Sequence, residues 1–259
     1  MKSSIFETSN FKPKAKEIAV GLKGENTTLN GLKILHISDL HIDKSTPFES
    51  LNNLVAVINQ SDAQFVVITG DIIDIKTSNI EDKLNVLKNI KKQSFYISGN
   101  HDLFYGLNSL KNRLNSFGFI CLDNDFVILS HNHQRFCLAG LSDRFSKFFN
   151  IKRKEKVLID TINQLALPTV FLAHQPKDIE FALQCKASLF LCGHTHGGQI
   201  FPFHLLVKLV QPYLSGLHYK NSTAIYVNKG VGTWGIGYRF FASSEIALLK
   251  LVTNEKSVE

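Results

Sequence analysis

Two histidines one residue apart, in Gly193-His194-Thr195-His196, close a short apolar stretch and open on to a glycine pair. Groups able to bind a metal recur in the same setting along the chain. Asp39 and His41 lie in SDLH, Asp71 and Asp74 in TGDIID, Asn100, His101 and Asp102 in SGNHD, and His174 in AHQP. Each cluster follows directly on a hydrophobic run. One such cluster would read as an ordinary polar loop, whereas the same event repeated after successive runs does not. The donor inventory is Asp39, His41, Asp71, Asn100, His174, His194 and His196. Imidazoles mixed with carboxylate and amide oxygens suit Mn, Fe or Zn better than Ca. They are too many for one tetrahedral ion and enough for two ions sharing a carboxylate. Two ions about 3.5–4 Å apart form a clamp for in-line attack at phosphorus. His36, His131, His133, His204 and His218 lack this setting.

Clusters so far apart need strands that end at one place. The preceding runs are residues 33–38, 64–69, 94–98, 169–173 and 188–192, apolar and β-branched along most of their length. That pattern predicts strands buried on both faces of a sheet. Helical patterns lie between them. Phe48, Leu51, Leu54, Val55 and Ile58 share one face behind Thr46 and Pro47, which read as a cap and first turn. Ile80, Leu84, Leu87 and Lys88 form a second pattern, and Leu107, Leu110, Leu114 and Phe117 a third, with Gly118 as its stop. Ile162 with Leu165, and Ile179 with Leu183, mark two more. Ile18, Val20 and Leu22 alternate as an outer strand does, and residues 222–230 and 243–252 read as two further strands. The sum is an α/β domain with sheets inside and helices outside. Carboxyl ends of strands in such folds open on one crevice. In extended backbone, residues i and i+2 point the same way, so Asp39 with His41, and His194 with His196, would each face it.

The composition narrows the partners. A chain of 259 residues with 44% hydrophobic residues can bury a substantial core, which excludes a disordered protein. A formal charge of +7 favours anionic partners such as phosphates, nucleic acid or an anionic membrane face. Cys121, Cys137, Cys185 and Cys192 form no C-x-x-C pair and read as buried thiols of a reducing compartment. The start, MKSSIFETSNFKPKAKE, is polar, and no apolar run reaches the ~18–20 residues of a membrane span. Residues 200–217 come nearest, interrupted by Pro202, His204, Lys208 and Pro212, and could lie on a membrane.

The order D-x-H, G-D-x-x-D, G-N-H-D, a lone histidine, then G-H-x-H resembles the calcineurin-like metallophosphoesterase family, from about residue 33 to 196. The resemblance implies a two-sheet β-sandwich flanked by helices, one domain over residues 1–259, with its active site at the strand carboxyl ends. Residues 1–30 would be an N-terminal extension carrying the outer strand. The resemblance also implies that Asp39, His41 and His196 bind one divalent ion and Asn100, His174 and His194 a second, with Asp71 bridging. Mn is the expected metal by that resemblance, with Fe or Zn as alternatives. His101 resembles the histidine that protonates the leaving oxygen or stabilises the transition state, and Asp74 the carboxylate that orients it. Asp102 would back the ligands rather than join them.

Within the family, GHTHGGQI and the 226–235 stretch, followed by Arg239, resemble a bacterial branch of membrane-associated phosphodiesterases that includes UDP-2,3-diacylglucosamine hydrolases. Residues 200–217 would then form an apolar flap beside the site, or else an ordinary core segment. In DRFSKFFNIKRKEK, residues 143–156, Phe145, Phe148 and Phe149 alternate with basic residues, which suits contact with an anionic membrane; a solvated helix start is the alternative. The leading expectation is a cytoplasmic phosphodiester or pyrophosphate hydrolase, peripheral to the inner membrane, with a lipid-linked anionic substrate. A nuclease or cyclic-nucleotide phosphodiesterase, a phosphomonoesterase and a non-catalytic scaffold are the competing readings. A scaffold would have lost ligands or His101, and every one is present.

Overall fold

Strands that are apolar on both sides must be covered on both sides, and the chain does this with four layers, helices outside two stacked sheets. The computed structural model describes residues 6–8, 14–23, 27–199, 207, 209–235, 238–240 and 243–253. Its first strands are β1 (Phe6–Thr8), β2 (Ala15–Leu22), β3 (Lys33–Ile37), β4 (Phe65–Thr69), β5 (Ser94–Ile97) and β6 (Ile120–Cys121). They are followed by β7 (Asp125–His131), β8 (Gln134–Gly140), β9 (Thr169–Leu172) and β10 (Leu189–Cys192). The last are β11 (Gly216–Lys220), β12 (Thr223–Val227), β13 (Tyr238–Phe240) and β14 (Ile246–Thr253). One six-stranded sheet has the order β2-β14-β3-β4-β5-β6, the other β11-β12-β10-β9-β8-β7, and β1 pairs with β13.

Strands β3 to β6 run parallel, as do β8, β9, β10 and β12. Side-chain alternation divides each strand between two cores. Phe65 and Val67 of β4 face the other sheet, meeting Leu138, Val170, Leu172, Leu189 and Leu191 in the same cluster. Val66 and Ile68 face outward, against α1 (Phe48–Gln60), α2 (Glu81–Asn85) and, past α3 (Asn100–Tyr105), α4 (Leu107–Ser116). On the second sheet Phe171, Phe190 and Cys192 pack under α5 (Glu155–Leu165) and α6 (Ile179–Gln184). Continuous hydrophobicity in these strands is the consequence of having two apolar neighbours instead of one.

Local readings hold with adjustments. Pro47 itself is the last non-helical residue before α1, and Thr46 bonds to Asp43 instead of capping the helix. Gly118 takes φ +87° and ends the α4 region as expected. The outer strand near Ile18 is β2, held at the sheet edge by β14. Gly216 and Leu217, placed in the expected flap, begin β11; residues 200–206 and 208 of that flap lie outside the described residues. Strand β8 was not foreseen. Its apolar half, Phe136 to Ala139, is buried in a central position between β7 and β9, but it follows a polar hairpin and ends in no metal-binding cluster. Leu138→Ala should therefore cost about 2–5 kcal/mol of unfolding free energy, read from urea denaturation. A cost near that of an exposed substitution would place β8 outside the core.

Candidate metal centre

The loops that leave β3, β4 and β5 in one sheet and β9 and β10 in the other bring their donors to one rim. They do so by left-handed backbone. Asp39, His41, Asp71, His194 and His196 have φ of 54°, 46°, 54°, 71° and 50°. Side-chain alternation in extended backbone therefore does not bring these pairs together; tight turns do. Such conformations cost of order 1–2 kcal/mol per residue and persist where surrounding bonds impose them.

Those bonds are present. Asp39 N donates to Gly70 O (3.0 Å), His41 N to Asp71 O (3.0 Å), and Gly193 N to His174 O (2.9 Å). His194 N donates to the Asp39 carboxylate at 3.0 Å. The buried Asp102 accepts from the amides of Asp71, Ile72, Ile73 and Gly99, and from Tyr96 Oη. It thus fastens the β4 loop to the β5 loop. The approach is close enough to require glycine twice: a Cβ on Gly99 would strike the Asp71 carboxylate, and one on Gly193 the Asp39 carboxylate.

Two donor triads result, Asp39 with His41 and His196, and Asp71 with His174 and His194, each within 4.8 Å. Asp71 stands between them. Its Oδ2 lies 3.2 Å from His174 Nε2 and 3.8 Å from His41 Nε2, while Oδ1 accepts the His101 amide at 2.8 Å. His41 Nε2 faces His196 Nε2 at 2.9 Å, and His174 Nε2 faces His194 Nδ1 at 3.2 Å. Imidazole lone pairs at such distances need a proton or a cation between them. His174 Nδ1 donates to Thr69 O (2.6 Å), which leaves Nε2 free to coordinate. Asn100 Oδ1, buried at the same rim, has no hydrogen-bond partner among the described residues. Facing imidazoles, an orphaned amide oxygen and a carboxylate shared by both groups fit a dinuclear divalent metal site.

A third group adjoins these. Asp74 Oδ1 accepts from His41 Nδ1 at 2.6 Å and lies 2.6 Å from His101 Nδ1. Asp74 therefore braces a candidate ligand as well as the candidate acid, a double role that the sequence did not suggest. Arg239 was noted in sequence without a role. It is buried, donates through Nε to Gly232 O (2.9 Å) and through Nη1 to Lys229 O (2.9 Å), and places Nη2 3.2 Å from His196 Nδ1. Asp143, read as part of a basic stretch, is buried and accepts from Gln175, next to His174.

Burial opposes charge throughout this rim, and neighbours decide the result. It is outweighed at His41 by Asp74 and Asp71, and at His174 by Asp71, so both rise above the ordinary imidazole value. Asp71 falls below the carboxylate range in return, with His174 the main cause opposing burial. His194 is pushed down to about 4 by burial and then by His174; His196 falls further, through burial, His41 and Arg239. Asp74, although burial raises it, is held low by His101 and His41. Burial and the Asp71 charge push Asp102 up to about 7, yet each of its partners is a donor, which favours the carboxylate form.

A two-sheet α/β fold with this donor rim fits a family of metal-dependent phosphoesterases. The chain belongs to the calcineurin-like phosphoesterase family, whose pattern matches residues 32–198. An "uncharacterized metallophosphoesterase" of Helicobacter pylori is 36% identical over 256 residues, covering 95% of this chain and 66% of that one. A Danio rerio "transmembrane protein with metallophosphoesterase domain" is 30% identical over 250 residues, covering 92% of this chain and 57% of that one. The chain thus spans less than two thirds of either relative. The fold is shared with a dimetal phosphatase structure from Danio rerio, at TM-score 0.54 and 13% identity over 78% of this chain and 88% of that one.

Metal must displace protons from His41 and His174, whose values are raised, while His194 and His196 are already neutral near pH 7. Adding Mn to ion-free protein in weak buffer should release protons near neutral pH, and affinity should rise with pH until both imidazoles are neutral. His174→Asn should reduce the release. Proton release that is absent, or unchanged in the variant, would contradict this arrangement.

Proposed function

We propose that the protein hydrolyses a phosphodiester or pyrophosphate bond in a lipid-linked substrate, with UDP-2,3-diacylglucosamine as the best single candidate and UMP as the product released. One observation carries the reading. The cleft above the metal rim, about 480 Å³, has a floor of His41, Asp71, Asn100, His101, His194 and His196. Its walls include Val207, Val210 and Trp234. A floor built for phosphate under apolar walls suits a substrate that is anionic at the reacting bond and greasy beside it. The Danio rerio relative, whose name places such a domain in a transmembrane protein, supports a membrane setting. Among the described residues here, no helix is long and apolar enough to cross a membrane.

In this reading Asp39, His41 and His196 hold one ion and Asn100, His174 and His194 the other, with Asp71 shared and Mn the expected metal. Two such ions, when bound, would supply the Lewis acidity that polarises a phosphoryl group and makes a water nucleophilic near neutral pH. The chain's own residues do the rest. The hydrogen bonds from the Asp71 amide to Asp102 and from the His101 amide to Asp71 hold the Asp71 carboxylate in place between the two donor groups. His101, braced at Nδ1 by Asp74, presents Nε2 for protonating the departing oxygen. Asp74, by holding both His41 and His101, keeps the acid at a set distance from the rim.

The competing reading, a nuclease or cyclic-nucleotide phosphodiesterase, is favoured by Trp234, which is 54% exposed at the cleft wall and could stack on a base. Release of UMP from UDP-2,3-diacylglucosamine in detergent micelles, by Mn-loaded protein, separates the two. Rapid release that falls ~10²–10⁴-fold in His101→Ala is expected. Slow release beside fast cleavage of a generic diester would leave the phosphoesterase standing and remove the lipid substrate.

A further inference from the structure

Side chains that ordinarily lie inside a protein surround the mouth of the cleft. Phe104, Trp234, Leu209 and Val210 are each more than half exposed, and Phe148 is 69% exposed. Single apolar residues on a surface are ordinary, but these are joined. Ring contacts run from Trp234 to His101 (6.2 Å), and on to Phe104 (6.3 Å). From Phe104 they continue to Phe149 (5.4 Å) and Phe145 (5.9 Å), and from Phe145 to Phe148 (5.6 Å). Val210 lines the same cleft as Trp234, and Leu209 precedes it. The apolar surface therefore starts at the cleft lining and spreads outward from it.

Positive charge borders this surface. Lys147 Nζ lies 5.0 Å from the Phe148 ring centroid, and Lys152 and Lys154 follow, both exposed. The two arginines of the stretch serve the fold instead. Arg144 and Arg153 flank the buried Asp178 at 2.8 and 3.0 Å, and Glu180 and Glu155 lie against the same guanidiniums. The nearby carboxylates are thus used up, and among the described residues none of the three lysines has an ion-pair partner. A protein partner would need an acidic patch wrapped around an apolar one. An anionic bilayer offers both everywhere: a headgroup layer that accepts aromatic rings, and phosphates that meet lysines.

We propose that this face docks on an anionic lipid bilayer. Phe104, Phe148, Leu209 and Val210 enter the headgroup region, Lys147, Lys152 and Lys154 meet lipid phosphates, and the cleft opens on to the membrane instead of water. The proposal rests on the lipid-linked reading of the substrate and adds how that substrate arrives, by lateral entry past Phe104 and Trp234 without leaving the bilayer.

Sedimentation of the full chain with vesicles tests it, using phosphatidylcholine alone and phosphatidylcholine mixed with phosphatidylglycerol. Partition should be about a hundredfold stronger on the mixed vesicles, since each of the three lysines contributes roughly fivefold near an anionic surface. The double substitution Lys147→Ala/Lys152→Ala should lose roughly twentyfold on mixed vesicles and little on neutral ones. Phe148→Ala/Leu209→Ala should weaken binding to both. All three proteins should cleave a water-soluble diester equally, because none of these side chains touches the rim. The proposal is overturned if the unaltered chain stays in the supernatant, if the variants sediment as it does, or if Phe148→Ala/Leu209→Ala instead dissolves a dimer in light scattering. Vesicle binding without UMP release would defeat the substrate reading alone, and micellar UMP release without vesicle binding would defeat the docking alone.

Discussion

The site depends on a carboxylate that never reaches its centre. Asp102 gathers the amides of Asp71, Ile72, Ile73 and Gly99, so the turn after β4 and the turn after β5 cannot move apart. Without that clamp the left-handed Asp71 would have little to hold it, and its carboxylate would not stand between imidazoles from different sheets. A carboxylate suits this task because it accepts several hydrogen bonds at once and donates none. The clamp is therefore the constraint on which donor geometry, shared-carboxylate placement and the His101 amide contact all rest.

Around this polar centre the fold is dry, and the contrast shapes its energetics. Asp39, His41, Asp71, His174 and His196 are nearly or wholly buried. Removing such groups from water is costly unless they are paired. Imidazole nitrogens face each other across gaps of 2.9 and 3.2 Å, an arrangement that a cation between each pair would satisfy. The inter-sheet core of Val67, Leu138, Leu172 and Leu191 supplies apolar burial that offsets the cost of burying these polar groups.

Much of this was legible in sequence because chemistry and patterning coincide. Residues 65–68 and 189–192 are apolar at every position since two layers cover them, and each run ends where donors begin. Helix α1 showed itself through Leu51, Leu54, Val55 and Ile58, all buried on one face. The candidate donors stood out because metal-binding residue types recur directly after successive apolar runs. The left-handed turns were not legible, because Asp and His, although enriched at positive φ, adopt it in only a minority of places and no local pattern marks Asp39, His41 or His196; neighbouring Gly70 and Gly193 hint at tight turns. Strand β8 stayed hidden behind a polar hairpin and a terminus lacking donors. Arg239, on β13, meets His196 from 43 residues away, a pairing that no local pattern specifies. Arg144 and Arg153 looked like free surface charge and are instead bound to Asp178, a carboxylate on a different segment.

The central claim is that one rim can hold two ions, each between donors from both sheets, with Asp71 shared. Anomalous diffraction from crystals grown with Mn tests it most directly. The account predicts two peaks about 3.5–4 Å apart. One should lie among Asp39, His41 and His196, and the other among Asn100, His174 and His194, with Asp71 touching both. A single peak, or a peak among His41, Asp74 and His101, which also lie within 4.8 Å of one another, would contradict it.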